Sequence, residues 1–497
     1  MEIAFEALGI LLSPQHLLLL VAAVVAGLTV GAVPGMTSTM AIGLLVPLTF
    51  ATSKYVAFIL LLGIYCGAIY GGAITAILMN LPGTPTAAIT AIEGYPMTRK
   101  GEGGKAIGIA TLSSTLGGLV SCVFLIFLSL PLANIAILFG PTEYFALGTF
   151  ALAVVMALSG RSVLKGLVST ALGVLFATVG IDMIAQSPRF TFGVTELLIG
   201  IPAVPAIIGL FCVSEAFRMA ENVTVTGAVQ KTAGGFRTAY KMLPKLWVTI
   251  SKSSLIGTFI GVLPGIGALM ASYLSYAEAK RVSKTPEQFG KGAPEGVCAS
   301  ESANNAVTGG ALVPMLALGI PGDTNTLMIL GAMIVHGLVP GPTLFREEPS
   351  LVYVIFGAVV LSNLLILPLG LSLARHIAKF ALIDRKYLMP TVAVLAITGA
   401  SIGYGHIYYF WISIIFGLIG YLLQKGDFPL LPIAMALILE PLIERNFRSS
   451  LMLPDAGLEM FLSRPITLIC IVMAVLVIWF GIRRERRLAA DVEIVRS

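Results

Sequence analysis

"GAVPGMTST" at residues 31–39 and "GVLPGIGAL" at residues 261–269 set nearly the same Pro-Gly break into two apolar stretches. Proline removes a backbone donor and clashes with the preceding turn, while glycine lets the chain turn sharply. Lipid cannot satisfy the freed backbone groups. Such a break persists at membrane depth only where protein buries it or where it lines an aqueous cavity.

The rest of the chain reads the same way. Its 497 residues are 57% hydrophobic and 11% charged, with a mean hydropathy of +0.95, where a soluble domain carries about 25% charged residues. Apolar runs near the length that roughly 30 Å of hydrocarbon requires recur at 17–33, 55–79, 106–128, 163–181, 197–217, 351–371 and 466–480. By length alone the chain holds about ten to twelve spans or part spans. The runs are continuous, with no long period-two alternation, so the fold class is an all-α polytopic membrane bundle and not a barrel. The formal charge of +6 belongs to a few loops and implies cytoplasmic loops, not nucleic acid. Five cysteines (66, 122, 212, 298, 470) stand singly in mostly apolar surroundings and read as packing residues. The N-terminus "MEIAFEALGI" lacks the basic region of a cleaved signal, so the first apolar segment is expected to stay.

Further elements recur in one order. The first half has "GGAITAILMNLPGTPTAAI" from Gly71 and then "GYP" at 94–96; the second has "GGALVPMLALGIPGDTNTL" from Gly309 and then "GLVP" at 337–340. Matched elements in one order mark an internal duplication. The expected division is a first repeat at 1–217, a linker at 218–245, a second repeat with extra C-terminal helices at 246–482, and a tail at 483–497. Charges set the relative orientation. Residues 1–53 hold no Lys or Arg, whereas 218–252 hold Arg218, Lys231, Arg237, Lys241, Lys245 and Lys252. After the first break the contrast is Lys54 against Lys280, Arg281, Lys284 and Lys291. After the second it reverses, with Arg99, Lys100 and Lys105 against Arg346 beside Glu347 and Glu348. Basic short loops prefer the cytoplasm. The reading is an inverted-topology repeat with 97–105, 218–245, 278–291 and the tail "RRERR" at 483–487 cytoplasmic and the N-terminus outside.

Inverted repeats with interrupted helices mark many secondary transporters. A helix restarting after a break points free N–H groups and its positive dipole end into the cavity, and an anion is the natural guest. The expected substrate-binding residues are Pro34, Gly35, Thr37, Ser38 and Thr39; Pro82, Gly83 and Thr84; Pro264, Gly265 and Gly267; and Pro321, Gly322, Asp323 and Thr324. The two Pro-Gly cores are expected to face one another near the midplane. The first break is rich in hydroxyls and the third in glycine, so backbone N–H groups are expected to do more in the second copy. In "EGVCASESANNAVTGG" at 295–310, Asn304 and Asn305 could supply amide oxygens to a small cation site. Asn80 and Asp323 complete the ion-coupling candidates, with sodium possible and no ligand set defined. Asp323 is equally a helix cap, and Glu295 and Glu301 are expected to face water in the basic loop region.

The run "YCGAIYGGAITAILMNLPGTPTAAITAIEGYPMTRKGEGGKAIGIA", with "EGVCASESANNAVTGGALVPMLALGIPGD" and "ERNFRSSLMLPDAGLEMFLSRPI", closely resembles the large membrane subunit of the tripartite tricarboxylate transporters, the TctA family. The resemblance covers essentially the whole chain. It implies a bacterial inner-membrane importer of carboxylates, citrate or other organic acids, by symport driven by sodium or protons with no other cofactor. It also implies a small four-helix membrane partner (TctB-like) and a periplasmic solute-binding partner (TctC-like). A looser likeness to elevator-type transporters implies re-entrant hairpins that carry the breaks.

Enzymatic readings find less support. There is no G-x-x-x-x-G-K-[ST] for nucleotide phosphates, no H-E-x-x-H, and no aspartate cluster for metal chemistry. His16, His336, His376 and His406 lie far apart and read as helix-end or loop residues. Glu143, Asp182, Glu196 and Glu215 could form a proton path, though most sit near expected helix ends. A passive anion channel is the nearer alternative and a membrane-embedded enzyme the more distant one.

Overall fold

The computed structural model describes residues 2–160, 162–221, 235–402, 405–453 and 458–496. Residues 222–234 of the expected linker, Lys231 included, and 454–457 of the late motif lie outside the described residues, as do the side chains from 487 onward. The described chain is helical, with one short antiparallel pair, β1 (Gly180–Ile181) and β2 (Pro188–Arg189). Among the described residues, eight helices are long and apolar enough to cross a membrane.

Its helices fall into two compact units. Unit 1 comprises Met1–Ala133 and Glu215–Gly399; unit 2 comprises Asn134–Ser214 and Ala400–Ser497. In chain order the helices are α1 (Glu2–Leu11), α2 (Pro14–Ala32), α3 (Ser38–Thr49), α4 (Lys54–Met79), α5 (Ala87–Arg99), α6 (Gly103–Ala136), α7 (Pro141–Leu158), α8 (Val163–Ala177), α9 (Ala203–Ile208) and α10 (Ser214–Glu221). They continue as α11 (Phe236–Val262), α12 (Gly267–Val282), α13 (Pro294–Leu318), α14 (Thr324–Val335), α15 (Pro342–Glu347), α16 (Pro349–Ile377), α17 (Arg385–Ile402), α18 (Ile407–Lys425), α19 (Leu431–Leu451), α20 (Leu458–Ser463) and α21 (Pro465–Arg496).

In unit 1, α2 and α4 run parallel. A Cβ added at Gly63 would meet Leu20 and Ala23, one at Gly67 would meet Val24 and Leu28, and one at Gly71 would meet Leu28, so position rises along both helices together. Apolar burial gives little preference between lipid and protein, and small residues that let backbones approach supply the van der Waals contact instead. Between them α3 runs back: it leaves the break at Val33–Thr37 and ends at Thr49, whose hydroxyl is 3.2 Å from His336, itself in a tilted ring contact with Phe58 near the start of α4. At 12 residues, α3 spans about 18 Å, too short to cross. At the end of α4, Asn80 takes a left-handed conformation (φ +55°). The chain then folds back so that the Gly83 N–H donates to the Gly72 carbonyl at 3.4 Å. From there α5 runs past Ala76 until Thr98 donates to the Ile77 carbonyl at 2.7 Å.

A second set of elements reproduces these contacts. Gly257 packs on Ala303 as Gly27 packs on Ile64, and Gly261 on Val307 as Gly31 on Ala68. Gly83 seats on the Gly31 carbonyl, Gly322 on that of Gly261. The left-handed cap of α13 is Gly319 (φ +73°), the counterpart of Asn80. The α2–α3 counterpart therefore stands 230 residues later and the α4–α5 counterpart 239 residues later. This register corrects the sequence pairing of Gly71 with Gly309 by one residue. Gly71 lies on the Leu28 carbonyl and Gly310 on that of Thr258, each three residues before the matching Gly31 or Gly261.

The copies point in opposite directions. Asp323 accepts from Tyr65, and His336 lies against Phe58 with tilted rings, so α14 runs antiparallel to α4 and alongside α3. On the other copy, α5 runs antiparallel to α13, with Thr90 3.0 Å from Ser300 and Glu93 2.7 Å from the Ala293 N–H. So does α12, through Ser272 to the Ser300 carbonyl and Ser275 to that of Ala299. Beyond the start of α4, Lys54 pairs with Glu348. Beyond its far end, Lys100 Nζ donates to the Lys291 carbonyl at 2.7 Å, and Gly235 packs against Lys105.

In unit 2, α19 packs on α8 where Gly173 meets Ile433 and Ala436, and on α7 where Gly148 meets Ile443. α18 lies on a π turn, Gly209–Val213. The hairpin of β1 and β2 is tied to α19 by Asp182 to Arg448 at 2.8 Å and Arg189 to Glu444 at 2.7 Å.

Candidate functional site

All four breaks fall in unit 1, and the first, second and fourth lie close along α4. Asp323 reaches the Tyr65 hydroxyl at 3.3 Å, the Asn304 amide donates to the Ile69 carbonyl at 3.3 Å, and Thr84 packs on Gly72. Seven helical residues separate Tyr65 from Gly72, about 10 Å of rise. The first break pairs with the fourth: Thr39 Oγ1 is 2.7 Å from Thr324 Oγ1 and donates to Asn325 Oδ1 at 3.0 Å. The second lies with the third, since α5 and α12 run side by side and Tyr276 donates to Glu93 at 2.7 Å. The N-termini of α3 and α14 thus approach α4 from one end, and those of α5 and α12 from the other. Among the described residues the direct contacts between copies run from the first break to the fourth and from α5 to α12. Each copy thus contributes one helix to either pair.

The two pairs differ in capping. Thr37 accepts the Met40 N–H at 3.1 Å and so caps α3. Asp323 accepts the Thr326 N–H and hydroxyl, each at 2.8 Å, and caps α14 in a capping box. The caps of α5 and α12, Thr86 and Ile266, make no side-chain bond to their helices. Near α5, Thr84 Oγ1 and Thr86 Oγ1 are 3.0 Å apart. At α12, Gly265 (φ +82°) donates its N–H to the Gly322 carbonyl at 2.9 Å, and Gly267 (φ +73°) opens the helix. These positive φ values favour glycine. Gly35 (φ +96°) sits beneath Met219 and Arg385. Pro34, Ser38, Gly83, Pro264, Pro321 and Gly322 are buried, and Pro82 is half-buried.

Asn304 and Asn305 are buried, and their Oδ1 atoms have no hydrogen-bond partner among the described residues. Asn80 is exposed and serves as the left-handed cap of α4. Glu301 departs from expectation: it is fully buried, accepting from Thr90 and, at 2.8 Å, from Ser114. The signal lay in its spacing, since Asn304 and Asn305 follow it at i+3 and i+4 on one helix face. Tyr65 carried no signal, being one aromatic in an apolar run. Glu143 and Asp182 are also buried but paired with arginine, Glu143 with Arg464 at 3.0 Å. Among the described residues no group of three His, Cys, Asp or Glu is placed to hold a metal ion.

The chain is 36% identical over 472 residues, 94% of either chain, to an Agrobacterium vitis protein named as an uncharacterized 52.8 kDa protein in the TAR-I ttuC' 3' region. It is 33% identical over 227 residues, 44% of this chain and 94% of the relative, to an uncharacterized protein in the TAR-II ttuC' 3' region of the same organism. No solved structure matches significantly. The family model described as "Tripartite tricarboxylate transporter TctA family" matches residues 17–435, and the chain, a multi-pass membrane protein, belongs to that family of transporter large subunits.

Proposed function

We propose that the chain is the permease of a binding-protein-dependent secondary transporter that imports organic carboxylates, with a sodium or proton gradient as the driving force. The observation that carries this is the capping asymmetry: no side chain caps the α5 and α12 N-termini, which come from opposite copies, and at α5 only the Thr84 and Pro85 carbonyls accept the first N–H groups, those of Ala87 and Ala88. The positive end of a helix favours an anion, and the Thr84 and Thr86 hydroxyls stand beside that of α5. The α3 and α14 N-termini, already capped by Thr37 and Asp323, brace the opposite side, and Asn304 with its free oxygen lies between. Opposed copies around one site are the design of alternating-access transporters. The basic end with Lys100, Lys105 and Lys291 is read as cytoplasmic, the N-terminus as outside and the C-terminus as cytoplasmic, in a bacterial inner membrane. The partners are a four-helix membrane subunit and a periplasmic solute-binding protein that delivers the substrate.

The test replaces Gly265 or Gly35 with leucine in the complete tripartite complex and follows uptake of labelled citrate and a panel of di- and tricarboxylates. Both variants are expected to insert and to lose uptake. Uptake at the wild-type rate by both removes the breaks from the transport site. In the wild type, accumulation that collapses with the ion gradients separates a transporter from a channel, which only equilibrates its solute, and from an enzyme, which changes it.

A further inference from the structure

Glu93, Asp323 and Glu301 are three buried carboxylates of unit 1, and their surroundings divide them. Glu93 accepts backbone N–H groups of Gly290, Gly292 and Ala293, the last two at 2.7 Å, and the Tyr276 hydroxyl. Asp323 accepts from Thr326 twice, from Asn325 at 3.0 Å and from Tyr65, at a helix N-terminus. Each carboxylate is thus ringed by several donors. Glu301 has two neutral hydroxyls, Thr90 on one oxygen and Ser114 on the other, and no ion pair among the described residues.

An ionised carboxylate taken out of water costs far more than two hydroxyl bonds return. Among the described residues, the parts of the neighbouring elements that face Glu301 offer no cation. On α5 the nearest ionisable group is Glu93, on α12 Tyr276, which is held by Glu93, and on α4 Tyr70, bonded to Thr111 at 2.6 Å. On α13 itself they are Cys298 and Glu295, the latter bonded to Ser283. The facing parts of α6 and α11 bring Ser114, Gly117 and Gly257. A hard cation wants about six oxygens drawn around it; the free ones nearby are Asn304 Oδ1 and Asn305 Oδ1, while both carboxyl oxygens are already met by hydroxyls and Thr90 is closed on its other side by Ser300 at 3.0 Å. A proton needs only that one of the two hydroxyls turn from donor to acceptor.

Thr90 also ties Glu301 to the proposed anion site. It lies on the first turn of α5, one turn from the uncapped N-terminus, and side chains on a helix lean toward that end. The positive end of α5 can compensate one negative charge. An ionised Glu301 and a bound carboxylate compete for it, and protonating Glu301 removes the competition.

We propose that Glu301 is the protonation site that couples transport, taking up a proton with each carboxylate bound at the α5 N-terminus and releasing it as the carboxylate leaves. This rests on the carboxylate-transport reading above. The test uses membrane vesicles that hold the complete complex, labelled citrate as probe and an imposed pH gradient of about one unit, worth about tenfold accumulation. In sodium-free buffer the wild type is expected to accumulate citrate. Glu301→Gln is expected to lose that accumulation yet still exchange citrate across the membrane without a gradient. Full accumulation by the variant, or wild-type accumulation that follows a sodium gradient and ignores pH, overturns the proposal. Failure of the wild type to move any carboxylate of the panel overturns the transport reading instead. A hydrophobic carbodiimide, which adds only to a protonated carboxyl, tests Glu301 without substrate or variant. Labelling mapped to Glu301 by mass spectrometry is expected to fall as pH rises and to ignore sodium at fixed pH. Protection by sodium, or no label on Glu301 at any pH, refutes the assignment.

Discussion

Gly83 and Gly322 show at single-residue scale what the duplication requires. Each lets a re-entering chain lie directly on a carbonyl, Gly31 in one copy and Gly261 in the other, and an added Cβ would occupy the position of that oxygen. The obstacle is backbone, which cannot rotate away as a side chain can. Gly83→Ala and Gly322→Ala are each expected to destabilise the folded protein by about 1–3 kcal/mol. A lowered melting temperature in detergent, followed by intrinsic fluorescence, is the measurement. Gly9→Ala, where an added Cβ meets nothing within 4 Å, is the control and should melt as the wild type does. Equal melting of all three variants contradicts the close approach.

At the scale of an element, the hairpin of β1 and β2 depends on one carboxylate. Asp182 accepts the N–H groups of Ala185 and Ile184, each at 2.8 Å, and pairs with Arg448 on α19. The backbone bond from Ala185, then that from Ile184 and the Arg448 guanidinium, hold its carboxyl down to about 2. Because the folded value lies below the ordinary one near 3.9, the stabilisation is complete above about pH 4 and is lost only as pH falls through about 2. Hydrogen exchange at Ile184 and Ala185, corrected for the intrinsic pH dependence, should therefore show constant protection from pH 7 to about pH 4. Asp182→Ala is expected to exchange faster at both amides throughout that range. Protection that fades between pH 7 and 5 in the wild type argues against this account.

Across the whole of unit 1, the two copies oppose one another through α4 and α13, and the loops sort by end. Lys100 and Glu347 are both exposed and lie beyond opposite ends of α4. Lys100→Cys and Glu347→Cys are expected to react with an impermeant maleimide from opposite faces of the membrane, Lys100→Cys from the cytoplasm. The native cysteines are buried, or half-buried at Cys470, so they add little background. Labelling of both from one face refutes the inverted arrangement.

The sequence by itself determined the class of fold and the existence of the breaks, because composition and Pro-Gly chemistry act locally: apolar runs must form helices in lipid, and Pro34, Pro82, Pro264 and Pro321 must interrupt them. It also held matched elements in one order, whose pairing the packed glycines shift by one residue. It did not determine that Thr39 meets Thr324 and Asn325 and not the third break, since that contact joins positions 285 and 286 residues apart. Nor did it place Glu301, whose neighbours in sequence are polar and read as a watery loop. Only the tertiary structure decided that, by bringing Thr90 from α5 and Ser114 from α6 around it. Burial is a property of what packs against a residue from distant parts of the chain, and no local pattern records it.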